Sequence, residues 1–489
     1  MKRKISFLDR AFWITESVDN PKHVACMQIL MLPDDADDNY IDELVAELRR
    51  FDKPTSPFNT VVQTVLGFPW SLETVDSMDM NYHVKLHEIE DVSDKAALHK
   101  LVAKLHEPRL ERDKPLWQYH VIKSRQGRLF AIYVKIHHMY GDGATLIRWF
   151  QAGYIEEAKK EGFVPVWALP QPFRKKRKKV WYKGLWENLV GFVLTVTDLV
   201  WILFRLLVKL LLINPHYMPI PFTGTKTVLT GQVKRGRVVS TTDLDFNRVH
   251  ALSKRLRASA NEILLCCIDI GVHRFLKGYG HSFGKALYTN MPINLRKPGE
   301  QVAGNKIAIV PVKLAHGETD PYLRLRQIIE NHRIVKKAAR KSQPGAFSYY
   351  TILIQSVALI FEMLRLSDWF KPIANILISN VPGPKEMRYL RDAKLLAAYP
   401  ISTITPGGGV NVTLLTYGDA ANIGIVCSDR NIDSLDNMAH YFQEAFELLE
   451  RCVDDPSLTI EDIGEYVDEA PKSIILDEHH QEHESVIHE

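Results

Sequence analysis

The chain has 489 residues, 46% of them hydrophobic and 25% charged, with 62 basic against 58 acidic side chains. This composition excludes collagen-like, wholly disordered and coiled-coil readings, and the length suits two to four domains of roughly 100–200 residues each. Five scattered cysteines (Cys26, Cys266, Cys267, Cys427 and Cys452) are odd in number and lack CxxC spacing. They argue against a disulfide framework or a structural zinc site, and for a reducing compartment.

In chain order, the opening MKRKISFLDRAFW is basic but breaks at Asp9 and Arg10 before an apolar stretch builds, so no secretory signal is expected. Residues 1–173 form a first lobe. Strands are expected over 23–32, 117–123 and 128–136, and helices over 39–51 and 93–107, from their β-branched content and apolar spacing. Residues 174–225 form a linker. It starts with six consecutive bases (Arg174, Lys175, Lys176, Arg177, Lys178 and Lys179), which call for a polyanionic partner: nucleic acid, anionic lipid or a phosphorylated cofactor. The apolar run 185–213 follows, interrupted by Glu187, Asp198, Arg205 and Lys209. It is long enough to span a bilayer, but Asp198 near the centre disfavours that. An interfacial helix is favoured, with Trp181, Trp186 and Trp201 near the headgroups; an inter-domain helix buried in the protein is the alternative.

Residues 226–455 form the second lobe. Helices are expected over 246–257, 261–278, 320–341 and 438–452, and strands over 286–293, 306–314, 373–379, 409–417 and 422–428. Such mixed order predicts α/β sheets covered by helices, with no internal repeat visible. Residues 456–489 are an acidic, His-bearing tail expected to be disordered.

The segment HHMYGDG (137–143) ends the strand RLFAIYVKI. Strand alternation puts His138 with Phe130, Ile132, Val134 and Ile136, and His137 with Tyr133 and Lys135 on the opposite side. One histidine alone can then enter a given cavity, and His138 is on the apolar side. A neutral imidazole in a water-poor channel is a good general base. Asp142 either caps the helix that follows or folds back to fix the loop. Gly141 and Gly143 let the chain turn.

HHMYGDG resembles the HHxxxDG active-site motif of chloramphenicol-acetyltransferase-like, CoA-dependent acyltransferases and peptide-synthetase condensation domains. Further segments are similar to the bacterial wax ester synthase/diacylglycerol acyltransferase family. They are ISFLDRAFWITES, HVACMQIL, Pro115-Leu116-Trp117, NEILLCCIDIGVHRFL (261–276), MPINLR, GNKIAIVPVKL, ISNVPGP (378–384), GGGVNVTLLTYGD and SDRNID, all in family order over about residues 5–452. The resemblance implies two acyltransferase lobes meeting at a tunnel, with His138 as the base. His138 takes the proton of a fatty alcohol or diacylglycerol hydroxyl, which attacks the thioester of acyl-CoA. It implies no covalent acyl-enzyme, cofactor or metal, acyl-CoA being a substrate. His137, Asp142 and Gly143 support the loop, and the partner is an anionic membrane surface or lipid droplet at the cytoplasmic face, with no nucleic acid.

Departures from the family are the Glu262 that replaces the Asp of its Asn-Asp motif, Met139-Tyr140-Gly141 inside the histidine motif, and the long linker. Asn261 either orients the active-site loop or caps its own helix. Pro115, Leu116 and Trp117 read as packing residues, and Asn380, Pro382, Gly383 and Pro384 as a stiff turn shaping the tunnel wall. Asn261, Ser379 and backbone amides are the candidate oxyanion donors. Gly280-His281-Ser282-Phe283-Gly284 spells GxSxG, but a helix precedes it and a strand follows, the reverse of a nucleophile elbow. The competing readings are a condensation-type acyltransferase with another acceptor, a lipid hydrolase using Ser282, and a weakly active lipid-binding paralogue.

Overall fold

Helix starts in this chain are written into short polar signals. Asp94 accepts the N–H groups of Ala96 and Ala97, Asp245 those of Asn247 and Arg248, and Asp320 that of Leu323, with Pro321 next in line. Ser259 and Glu262 close a reciprocal capping box. The structure, a computed structural model, describes residues 2–5, 7–141, 143–160, 162–169, 181–211, 217–294, 307–342, 344–428 and 432–458. Asp142, the run Arg174–Lys179 and nearly all of the acidic tail lie outside the described residues.

The first half contains β1 (Lys2–Lys4), α1 (Phe7–Thr15), β2 (His23–Met31), α2 (Tyr40–Arg50), β3 (Thr60–Val65), β4 (Phe68–Thr74), α3 (Met80–His83), β5 (Val84–Ile89), α4 (Lys95–His106), β6 (Trp117–Ser124), β7 (Leu129–His137) and α5 (Gly143–Ala152). Helix α6 (Trp181–Leu210) connects it to β8 (Arg237–Asp245), α7 (Phe246–Arg255), α8 (Ala260–Gly278), β9 (Tyr288–Asn294) and β10 (Ile307–Lys313). Then come α9 (Pro321–Lys341), α10 (Pro344–Met363), β11 (Ile376–Pro382), β12 (Tyr389–Leu390), β13 (Ala393–Ile401), β14 (Val410–Tyr417), β15 (Ala420–Ser428) and α11 (Asp436–Arg451).

Two six-stranded mixed sheets result, ordered β12-β13-β2-β7-β6-β5 and β10-β9-β11-β14-β15-β8, with a small sheet β1-β4-β3 at the side. The α/β class and paired lobes match expectation, although no sequence repeat announced them. Each lobe has its own core. One gathers Leu30, Leu44, Trp117, Phe130 and Ile132, and the other Ile263, Ile268, Val412, Ile425 and Phe442.

The expected boundary of the second lobe needs one correction. β12 and β13 lie within 226–455 but join the first lobe's sheet, β13 pairing antiparallel with β2 from Ile401↔Ala25 to Lys394↔Met31. Between the lobes β13 runs against β15, where Gly424 leaves no room for a side chain: a Cβ would overlap the Pro400 carbonyl. Tyr399 Oη donates to Asp243 Oδ2 at 2.8 Å, and Ala398 N–H to Asn422 Oδ1 at 3.1 Å.

Helix α6 covers most of the apolar run 185–213. Ile202 and Leu206 are buried with Phe347 and Tyr350 of α10, while Val200, Trp201 and Leu207 are exposed, so α6 is not wholly buried between domains. Among the described residues, the helix long and apolar enough to cross a membrane is Gly345–Met363 in α10, which the sequence analysis did not identify as a helix.

Candidate active site

Strand β7 sits near the middle of the first sheet, between β2 and β6, and its last residue His137 pairs with His23. The chain then turns. His137 N–H donates to the Leu116 carbonyl at 2.9 Å, and His138 N–H to the Lys22 carbonyl at 2.8 Å, so both neighbouring segments clamp the two histidines. The imidazoles part company as alternation requires. His138 stacks on Phe12 with ring centroids 4.1 Å apart and planes 12° from parallel, on the side of the first lobe's core. His137 Nε2 lies 3.5 Å from Glu16 Oε1, and its Nδ1 accepts the Met139 N–H at 3.2 Å. That second bond places the His137 proton on Nε2, facing the carboxylate.

Accessibility separates them too. From Lys135 to Tyr140 every side chain is buried except that of His138, which is half-buried. His137 therefore reads as a structural anchor, and His138 as the imidazole that a substrate can reach.

Glu16 is a site residue the sequence analysis did not single out, although it lies in the quoted segment FWITES. Its carboxylate is buried. It takes the Lys22 N–H at 3.3 Å and meets the Arg112 guanidinium at 3.3 Å. Burial pushes its pKa up, but the His137 contact, the Lys22 N–H and Arg112 outweigh this and hold it below the ordinary glutamate value. Lys22 is itself buried, which brings its ammonium down to about 8, and burial likewise brings Lys135 down to about 7.

A second missed residue is Glu362, the sole charge in α10. It accepts from Asn20 Nδ2 at 2.7 Å and from Gly407 N–H at 3.2 Å, and so ties the second lobe to the segment that clamps His138. A single carboxylate in an otherwise apolar helix was the available sequence signal.

The other candidates fall into place around the pair. Leu116 and Trp117 are buried, as their packing role requires. Trp117 Nε1 donates to the Phe58 carbonyl at 2.8 Å, and its ring stacks on His83 and Trp167. Leu116 N–H donates to Tyr140 Oη at 3.0 Å, and Tyr140 in turn donates to the Thr60 carbonyl, so Tyr140 inside the motif is a loop strut. Pro115 leads into this clamp. Gly143 opens α5, where a Cβ would meet no described atom within 4 Å; the tight glycine is Gly141, whose Cβ would lie 2.8 Å from Thr145 Cγ2.

Asn261 does not cap α8, because Ser259 does. It accepts instead from the Asn380 side-chain amide, which brings α8 and β11 together, and α5 packs on that same strand. Glu262 has a separate task. Its carboxylate accepts from Ser259 and lies 3.4 Å from His332 Nδ1. Burial raises its pKa, but His332 and Ser259 bring it down to about 2.

The stiff turn expected at Asn380–Pro384 is corrected. Asn380 and Pro382 belong to β11 and pair in parallel with Leu414 and Thr416. Gly383 lies flat on β14, where a Cβ would overlap the Thr416 carbonyl, and Pro384 follows, its carbonyl taking the Gly418 N–H at 3.1 Å. Ser282 is exposed in the loop between α8 and β9, without the strand-turn-helix context of an elbow.

Two α/β lobes with a histidine pair at the end of a central strand define a chloramphenicol-acetyltransferase-like architecture. Solved structures share it. A wax ester synthase/diacylglycerol acyltransferase from Marinobacter aquaeolei superposes with a TM-score of 0.71 at 22% identity, covering 92% of this chain and 98% of that one. The first condensation domain of the calcium-dependent antibiotic synthetase gives 0.58 at 12% identity, covering 94% and 98%. In sequence, the chain is 25% identical over 460 residues to the O-acyltransferase WSD of Acinetobacter baylyi, covering 92% of this chain and 97% of that protein. A Mycobacterium tuberculosis protein named as a diacylglycerol O-acyltransferase is 26% identical over 459 residues, covering 92% and 100%. The family model of the wax ester synthase/diacylglycerol acyltransferase catalytic domain matches residues 5–264, and that of the WS/DGAT C-terminal domain matches residues 303–450. The chain belongs to the wax ester synthase/diacylglycerol acyltransferase family.

Proposed function

We propose that the protein is an O-acyltransferase that moves a fatty acyl group from acyl-CoA to a long-chain alcohol, a diacylglycerol or both, with His138 as general base. The observation that carries the choice of base is the accessibility of His138 between buried neighbours, on the side of Phe12. His138 takes the proton of the acceptor hydroxyl as its oxygen attacks the thioester carbonyl, and the proton passes on to the departing coenzyme A thiolate. The reaction requires no covalent acyl-enzyme, metal or cofactor. His137 anchors the loop, the support expected from Asp142 lies outside the described residues, Gly143 lets the chain turn into α5, and Asn261 with Asn380 forms the opposite wall of a tunnel between the lobes. Glu262 closes the capping box of α8 with Ser259, which gives a structural role to the residue that departs from the family pattern.

Both lipid substrates concentrate at membranes. In this reading the bases Arg174–Lys179 and the exposed apolar side chains of α6 hold the protein peripherally on an anionic membrane surface or lipid droplet at the cytoplasmic face. The test is release of coenzyme A thiol from palmitoyl-CoA by purified protein, with hexadecanol, dipalmitoylglycerol or no acceptor. Release that requires an acceptor and is lost in His138→Ala supports the proposal. Acceptor-independent ester cleavage that survives in His138→Ala overturns it.

A further inference from the structure

Helix α10 is packed on one side and bare on the other. Phe347, Tyr350, Ile354 and Ala358 are buried against α6 and β10. Tyr349, Leu353, Ile360 and Met363, broken by Ser356, form an exposed stripe at helical spacing. The turn that follows extends it, with Leu364 63% and Trp369 80% exposed. That turn is braced: Phe361 stacks on Phe370 at 4.4 Å, and Lys226 Nζ donates to the carbonyls of Asp368 and Trp369. Soluble proteins rarely keep so much contiguous apolar surface in water, and here it sits beside the exposed apolar side of α6.

Charge identifies what covers it. The last part of α9, which packs Val335, Ala338 and Ala339 into the same cluster as α10, carries Arg333, Lys336, Lys337, Arg340 and Lys341 with no acid after Glu330. No described carboxylate forms an ion pair with these five bases. An apolar face with a basic rim fits an anionic lipid surface, with the apolar side chains entering the headgroup boundary. A second copy of the chain placed symmetrically on this face would bring two basic rims together, which disfavours self-association.

We propose that α10, the Met363–Phe370 turn and the basic end of α9 form an anionic-lipid docking face in addition to the polybasic run and α6. The inference rests on the reading of the protein as an enzyme that works at a membrane. Glu362 follows directly from the stripe and holds Asn20 and the Gly407 loop, so the docked helix lies one hydrogen bond from the segment that clamps His138.

The test is flotation of the full chain with vesicles of three parts phosphatidylcholine to one part phosphatidylglycerol, and with phosphatidylcholine alone. Leu353→Glu/Ile360→Glu and Arg340→Glu/Lys341→Glu should each lower binding to the anionic vesicles by about fivefold or more, with thermal unfolding unchanged. Brominated lipid should quench tryptophan fluorescence less in Trp369→Phe than in the parent, a readout that does not depend on the charge variants folding. The broader reading fails if the parent never floats. The present inference alone fails if neutralising residues 174–179 releases the protein while both charge variants bind like the parent. It also fails if binding instead requires the exposed Leu66 and Phe68 of the β3–β4 hairpin, if Leu353→Glu dissolves a dimer without affecting flotation, or if alkaline carbonate cannot strip the protein.

Discussion

Replacing Glu16 by Gln tests the support of the histidine pair without changing its shape. In the parent the carboxylate takes the Lys22 N–H, faces His137 Nε2 and meets Arg112. The amide can still accept from Lys22 with its oxygen, but its NH2 then points at the Arg112 guanidinium, donor against donor. Breaking a fully buried pair costs about 3–5 kcal/mol. Arg112 keeps about a third of its side chain in water and can turn outward, so a loss of about 2–3 kcal/mol in folding stability is expected at pH 7.

The pH dependence has a defined sign. Because the folded carboxyl is held below its ordinary value, its contribution is fully present above about pH 4.3 and is lost as pH falls through the depressed value. The gap between parent and Glu16→Gln should therefore stay constant from pH 7 to 5. In turnover, the displaced loop should lower kcat by about 10- to 100-fold while KM for acyl-CoA stays within about twofold. Urea unfolding followed by circular dichroism gives the first quantity, and thiol release from palmitoyl-CoA the second. Equal urea midpoints at pH 7, or a gap already closing between pH 7 and 5, would refute the assignment of Glu16 as the buried anchor of His137.

Replacing His138 by Ala should lower turnover with every acceptor by about 10²- to 10⁴-fold, and His137→Ala should lower it less while lowering thermal stability more; the reverse order in thiol-release assays would exchange their roles. Burial pushes His83 and His99 down to about 4 and His120 down to about 2. The unfolded chain therefore takes up protons first below about pH 6.5, and stability should fall by about 1.4 kcal/mol per pH unit for each such histidine; a urea midpoint unchanged between pH 7 and 5 would contradict this. Gly424→Ala, whose methyl would overlap the Pro400 carbonyl, should cost at least about 1–3 kcal/mol and visibly lower Tm, whereas Gly143→Ala, facing open space, should leave Tm nearly unchanged. Calorimetry that ranks the two glycines the other way would show that the lobe contact is looser than its geometry.

Legibility followed the range of the forces involved. Elements set by local periodicity were readable: α2, α4, β6, β7, α9 and α11 fall within a few residues of their expected spans. Strand β13, with the sequence AKLLAAYPI, was not, because its composition suits a helix and its extended form comes from pairing with distant β2. Helix α10 begins with Pro-Gly and carries β-branched and aromatic residues, so its apolar spacing was overlooked although present. At the site, the opposite orientation of His137 and His138 was readable because strand alternation is a local rule that survives to the end of β7. Glu16 was not readable, since it acts through partners fixed by tertiary packing; Glu362 was visible only as a lone carboxylate in an apolar stretch, and its partners too are set by tertiary packing. The expected turn at Asn380–Pro384 failed for a related reason: prolines usually stop a strand, but here Pro382 continues the parallel pairing with Thr416.

The crossing of β13 also changes how the site is understood. A boundary at the linker suggests two separable lobes with a reactive histidine in one of them. Yet β2, which starts at His23 just after Lys22 and lies beside the histidine pair, is flanked on its other edge by a strand from the far half of the chain. Asn20, just before it, is held by Glu362 of α10, and Lys22 Nζ reaches toward the Ile404 carbonyl at 3.5 Å. The segment that fixes His138 is thus bounded on its edge by a strand from the second half of the chain and at its end by the second lobe's α10. A shift of one lobe against the other must move the His138 clamp, because the contacts at Gly424 and Glu362 leave little slack between them. The proposed base His138 and the Asn261–Asn380 contact across α8 and β11 are therefore held in one frame, which would suit a reaction whose rate depends on holding a hydroxyl and a thioester in register.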